Sequence, residues 1–352
     1  MRKLLNRFFI EGSSGMACGL FVTLVLGTVL QQTAGLLEGQ MAALLLHLGQ
    51  LAVSLTGAGI GIGIATRLGE SSLAAICAAI AGTVGAFAEE FASGALFTTE
   101  GTLSLSGKAE PLGAFFAAFT AIELVRLIEG KTRADLILAP VAGILGGSLV
   151  GIWAGIPITH LLQYLGEAMN WASQQKPLLM GITVSVLMGI FITLPLNSVA
   201  LAVSLNLTGL AAGAATIGCC CSMVGFAVAG YRENGVGGLC SLGLGTPFLE
   251  FHKIMQRPLI WLPTILSSAI LGPVGTMAAK MSNTAAGAGA GSMGLLGQIS
   301  TFQTMTAQEE PAIVMTKIVL LHFVLPGLLS LGIAEGMRKL RLIKDGDMAL
   351  AL

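Results

Sequence analysis

The chain has 352 residues, of which 54% are hydrophobic and only 10% charged, and its 18 basic and 18 acidic side chains cancel to zero formal net charge. A water-soluble domain carries about 25% charged residues, so this composition excludes a soluble enzyme or a nucleic-acid-binding domain and points to a polytopic membrane protein. With charge this scarce, where each one falls carries the information.

The opening residues 1–9 carry Arg2, Lys3 and Arg7 among apolar neighbours, with no small-residue cleavage site after a short apolar core. They read as a short interfacial amphipathic helix leading into the first span rather than as a cleaved signal peptide. Apolar runs long enough to cross a bilayer, about 20 residues each, follow near 15–37, 42–66, 72–97, 111–129, 134–158, 178–205, 208–230, 235–252, 258–280 and 311–335. The expected fold is all-α, a bundle of ten transmembrane helices. With the N-terminus inside, this count puts Arg2, Lys3, Arg7, Arg67, Lys131, Arg133, Lys253, Arg257, Arg338, Lys339, Arg341 and Lys344 on the cytoplasmic side, and mainly Lys108, Lys176 and Arg232 outside. That asymmetry obeys the positive-inside rule and places both termini in the cytoplasm.

The chain also echoes itself. Gly19 to Leu30 is matched by Gly181 to Ile192, and Ile76 to Thr83 by Leu239 to Thr246, in the same order. Five spans per half is an odd number, so the second copy enters the membrane from the opposite side and the repeat is inverted, a transporter signature. The expected organisation is a first repeat at 1–165, an interfacial linker at 166–177 containing Trp171, and a second repeat at 178–352.

Glycine is the second theme, with 48 residues, and Gly57, Gly59, Gly61 and Gly63 alternate along one span. That spacing suits close helix contact or an unwound stretch. Two stretches join glycine to ionisable side chains. Gly82-Thr83-Val84-Gly85 precedes Glu89 and Glu90, and Gly245-Thr246-Pro247 precedes Glu250, His252 and Lys253. Interrupted apolar segments at matching places mark a binding site in transporters, and unwound backbone at membrane depth needs a cavity or protein cover. Thr83, Glu89, Glu90, Thr246, Glu250 and His252 are therefore candidate substrate ligands, unless the carboxylates mark wet helix ends. Pro195-Leu196-Asn197-Ser198 breaks another span and makes Asn197 a candidate for cavity lining. Glu123 and Arg126, three apart, read as a structural ion pair. His47, His322 and Lys317 read as packing or snorkelling residues. The Gly-rich residues 282–294 read as a re-entrant hairpin or gate, or as a plain loop.

Six cysteines lie in apolar segments as packing residues, without metal-ligand spacing. No phosphate-cradling loop, metal cluster or nucleophile elbow is present, so neither a cofactor nor a catalytic residue is expected in this chain.

The basic start running into Glu11-Gly12-Ser13-Ser14-Gly15-Met16, the Gly-rich spans and Leu242-Gly243-Leu244-Gly245-Thr246-Pro247-Phe248-Leu249-Glu250 together carry a resemblance over most of the chain. It resembles the enzyme IIC membrane subunits of the bacterial phosphoenolpyruvate-dependent sugar phosphotransferase system, in the branch that includes PfoR-type regulatory proteins. The resemblance implies a bacterial plasma-membrane homodimer, a sugar-like solute, an elevator-like or rocking movement, and separate IIA and IIB proteins that supply the phosphoryl group. A Gly-Ile-Thr-Glu sugar-binding motif of related branches is absent, since Gly181-Ile182-Thr183 is followed by Val184. Three readings stay open: a sugar transporter subunit working by alternating access, a membrane-embedded sensor or regulator, and an ion-coupled transporter of a small acid.

Overall fold

A computed structural model of the chain describes residues 7–35, 37–96, 105, 109–131 and 134–350. Among these residues the regular secondary structure is helical, apart from a single antiparallel bridge between Gly209 and Asn283. Six helices among the described residues are long and apolar enough to cross a membrane: Arg7–Gln31, Pro111–Ile128, Asp135–Ile158, Gly209–Ala229, Pro258–Ala278 and Pro311–Lys339. The chain is a multi-pass helical membrane protein. The contacts divide it into two units, Met1–Gln163 and Tyr164–Ala351.

In the first unit, α1 (Arg7–Gln31) is followed by α2 (Gln40–Ser54) and α3 (Thr56–Leu68), which meet at a bend of 58°. Then come α4 (Ser72–Ala86), the short α5 (Ala88–Ser93), α6 (Pro111–Ile128) and α7 (Asp135–Ser173), whose last turns cross the boundary between units. Residues 1–6 of the expected amphipathic helix lie outside the described residues, and from Arg7 onward the chain is already part of α1. The reason is electrostatic and aromatic: Arg7 Nη2 donates to Glu70 at 2.6 Å and to Glu123 at 3.0 Å, and Phe8 packs on Phe115, Phe116 and Phe119 of α6. Glu123 does pair with Arg126, and Arg7 completes that network.

The alternating glycines of α3 belong to one unbroken helix and serve two neighbours. A Cβ at Gly57 or Gly61 would strike the backbone of Gly82 or Ala78 in α4, whereas one at Gly63 would strike Gly15 in α1 and one at Gly59 the Thr23 methyl. Residues 57 and 61 share one face and 59 and 63 another, so the two-residue spacing gives α3 two flat faces. Without a hydrophobic drive between helices in lipid, such close approach supplies the packing attraction.

The second unit contains α8 (Pro177–Phe191), α9 (Ser198–Ser204), α10 (Gly209–Ala229), α11 (Tyr231–Cys240), α12 (Phe251–Gln256), α13 (Pro258–Ala278), α14 (Ala285–Ala290), α15 (Leu296–Met305) and α16 (Pro311–Lys339). α10 is its axis, with 89% of its apolar window buried. α8 and α13 approach it through small residues, and hydroxyls stitch the contacts: Ser185 to the Ser268 carbonyl at 2.7 Å, Ser222 to the Gly189 carbonyl at 2.6 Å. A core of Ile217, Cys221, Leu271, Met281, Met305 and Val314 fills the space between helices.

Four of the ten expected spans are not single helices: besides the run at 42–66, bent between α2 and α3, three are interrupted. The run at 72–97 stops at Phe87, the run at 178–205 is cut between Phe191 and Ser198, and the run at 235–252 is interrupted twice. Gly235, at φ +59°, makes the first of those interruptions, and residues 241–250 make the second.

Candidate functional site

Three interruptions of the second unit gather on α10. The first begins with a π-helical turn, Ser241–Gly245, after which Thr246 is extended (φ −153°, ψ 137°) and Pro247–Glu250 form a 3₁₀ turn. Local chemistry dictates this shape. Pro247 has no N–H to continue the helix, the Thr246 N–H turns back to the Ser241 carbonyl at 2.9 Å, and the Thr246 hydroxyl accepts from the Phe248 N–H at 3.3 Å.

Glu250 ends this turn and is fully buried. Neither of its carboxylate oxygens has a hydrogen-bonding partner among the described residues. Burying a carboxylate without a donor is among the most costly arrangements in a protein, and none of the described residues supplies that donor. His252, almost fully buried, places its Nδ1 at 3.1 Å from the Leu249 carbonyl, which holds the ring on the same turn.

The second interruption is the Gly-rich segment. It is a helical hairpin whose arms are α14 and α15, capped at its start by the Thr284 hydroxyl and turned at its tip by Gly291 (φ +55°) and Gly294 (φ +51°). The tip is buried, not a surface loop. Asn283 at its base is satisfied at both ends, with Nδ2 donating to the Thr216 hydroxyl at 2.7 Å and to the Gly297 carbonyl at 3.1 Å, and Oδ1 accepting from the Thr284 N–H. At the tip, the Ser292 hydroxyl donates to the Gly243 carbonyl at 2.6 Å, joining the hairpin to the break that carries Glu250. The third interruption joins the same hairpin, because the Ser198 hydroxyl donates to the Gly289 carbonyl at 2.8 Å. Asn197, half-buried, sits next to that contact.

A second buried polar group lies between α10, α15 and α16. Gln298 Nε2 reaches Cys220 Sγ and His322 Nδ1, each at 3.4 Å, while Gln298 Oε1 and His322 Nε2 have no partner among the described residues.

The expected ligands thus fall into two groups. Thr246, Glu250 and His252 lie together on one break, linked through Ser292 and the hairpin to the segment of Asn197. Thr83, Glu89 and Glu90 belong to the first unit. There the expected break at Gly82–Gly85 is displaced: α4 runs through it unbroken, with Thr83 Oγ1 donating to the Ala79 carbonyl at 2.8 Å, and the chain departs from helix at Phe87 (φ −117°, ψ 39°). Gly82 and Gly85 are glycines because Gly57 and Gly113 of neighbouring helices approach them backbone to backbone. Glu89 is exposed and Glu90 half-buried. Ser292, Asn283 and Gln298 escaped the sequence reading. Only the Gly-rich context of the first two signalled them, and His322 was indistinguishable from a packing residue.

An all-helical membrane unit with interrupted helices is the architecture in which membrane transporters build their binding sites. The comparison with family models is specific: the model described as "Phosphotransferase system, EIIC" matches residues 10–350, and the chain belongs to that family. It is a transporter-type membrane subunit of the phosphotransferase class. No curated protein matches the chain in sequence.

Proposed function

We propose that this chain carries a neutral polyhydroxylated solute, a sugar or a close relative, through a site in its second unit built on Glu250, with Thr246, His252 and Asn197 nearby. The observation that carries the reading is the buried Glu250 carboxylate with both oxygens unpartnered. Such a group exchanges hydrogen bonds with hydroxyls and offers an anion no compensating positive charge. Three basic side chains of this unit have partners of their own: Lys317 with Glu309, Arg338 with Glu335 and Glu233, and Lys253 with the Gly346 carbonyl. A buried acceptor to which no cation is hydrogen-bonded favours a sugar over a small acid.

In this reading the solute is exposed alternately to the two sides of the membrane, in a homodimer whose halves are inverted repeats and whose termini are cytoplasmic. Soluble IIA and IIB proteins bring the phosphoryl group to the solute. Uptake of labelled sugars into proteoliposomes, with and without those soluble proteins, tests the reading. Saturable uptake of one sugar supports it. Binding without flux would point to a sensor or regulator, and flux of a carboxylate driven by an ion gradient would point to a secondary transporter.

A further inference from the structure

Residues 340–350 follow α16 and fold back along the second unit as an irregular strap, anchored by the buried side chains of Ile343 and Met348. The strap grips the chain on both sides of the break that carries Glu250. Before the break, Asn234 forms a two-way hook: its Nδ2 donates to the Met348 carbonyl at 2.7 Å, and its Oδ1 accepts from the Leu350 N–H at 2.7 Å. After the break, Lys253 Nζ donates to the Gly346 carbonyl at 3.1 Å, and Arg257 lies 3.6 Å from Asp347. Gly346 serves both grips, because its N–H also donates to Glu233 at 2.9 Å. Its φ of +88° belongs to a region that only glycine enters freely.

We propose that this strap is a clasp that keeps the Glu250 break closed, and that Asn234 is the positioning residue that latches it. The clasp ties residues 233–234 to residues 253–257, so the intervening break cannot open while it holds. Its later contacts are suited to release, since the Arg257 side chain is 59% exposed and an exposed pair of this kind contributes little. The Asn234 hook is the firm point. Asn234 touches no solute in this account and acts only through the strap. The proposal rests on the reading of Glu250 as a solute ligand for its purpose, but the test needs no solute.

Leu249→Cys places a thiol on the buried turn beside Glu250, in a background where the exposed native thiols are removed by Cys18→Ser and Cys240→Ser. Its modification by a water-soluble maleimide is timed in purified protein with Asn234 intact, with Asn234→Ala and with Asn234→Asp. Asn234→Ala is expected to raise the rate by roughly tenfold, the equilibrium change produced by losing one or two net hydrogen bonds. Asn234→Asp keeps the acceptor for Leu350 but sets a carboxylate oxygen against the Met348 carbonyl, so it raises the rate as well. The buried Cys219, Cys220 and Cys221 report in the same sample that the fold is intact by staying unmodified. If Asn234→Ala does not fold, Asn234→Asp and Arg257→Ala carry the comparison, each raising the rate over the intact clasp. Equal rates in all folded backgrounds overturn the clasp while leaving the solute reading untouched. A failure to find any sugar ligand leaves the labelling result standing.

Discussion

The Ser292 hydroxyl donates to the Gly243 carbonyl at 2.6 Å, so that two interrupted segments 49 residues apart share one buried hydrogen bond. Both partners are broken-helix positions, and the bond ties one interruption to the other. Replacing Ser292 by Ala leaves the Gly243 carbonyl without this donor at a site with no exposure. We expect Ser292→Ala to destabilise the protein by about 1–3 kcal/mol and to weaken solute binding, read from thermal unfolding in detergent with and without ligand. Unchanged unfolding would mean that the two segments hold together by packing alone.

Glu250 is expected to show the opposite sign. A fully buried carboxylate with no donor on either oxygen opposes folding. Glu250→Gln replaces it with a neutral group of nearly the same shape and should stabilise the ligand-free protein by about 1 kcal/mol or more. The same change should abolish transport. A stability gain paired with loss of function is the mark of a site residue, and a Glu250→Gln protein that melts earlier would instead assign the carboxylate a structural partner.

Glycine substitutions should separate packing from permissiveness. Gly57→Ala forces a methyl onto the Gly82 carbonyl and the Thr83 Cα, and overpacking of this kind costs about 1–3 kcal/mol. Gly332, in α16, has nothing within reach of an added Cβ, so Gly332→Ala should be neutral or gain up to about 1 kcal/mol from helix propensity. Thermal unfolding of the two single variants, measured side by side, checks the contrast.

The ion network at the start of α1 should be carried by Arg7. Its side chain is 20% exposed and bridges Glu70 and Glu123, whereas Arg126 is 44% exposed and touches Glu123 alone. Removing Arg7 leaves the largely buried Glu70 carboxylate without this cation and Glu123 with Arg126 alone. Arg7→Ala should therefore cost about 2–3 kcal/mol and Arg126→Ala under about 1 kcal/mol. Equal losses in denaturant or thermal unfolding would contradict this ranking.

Much of this fold is legible in the sequence, for identifiable reasons. The apolar runs mark every long helix, because lipid demands about 20 apolar residues per crossing. The break at Gly245-Thr246-Pro247 is legible because proline and a capping threonine stop a helix by local chemistry. Gly82-Thr83 carries the same letters with a different meaning, since no proline follows and the glycines are there for neighbours the sequence does not name. The apparent match between Ile76–Thr83 and Leu239–Thr246 therefore joins a continuous helix to a broken one. Ser292 and Gln298 were out of reach for a related reason: a hydroxyl or an amide becomes informative only when its partner, Gly243 or His322, is known.

The central claim is that Glu250 receives the hydroxyls of a neutral solute. It is tested most directly by thermal unfolding of the purified protein against a panel of sugars and of small carboxylates, with Glu250→Gln in parallel. A ligand that binds only the folded state at 100 times its Kd stabilises it by about 2.7 kcal/mol. The account predicts that one or more neutral sugars raise the unfolding temperature saturably, that carboxylates do not, and that the shift vanishes in Glu250→Gln. A carboxylate that stabilises the protein, or a sugar shift that persists undiminished in Glu250→Gln, would contradict it.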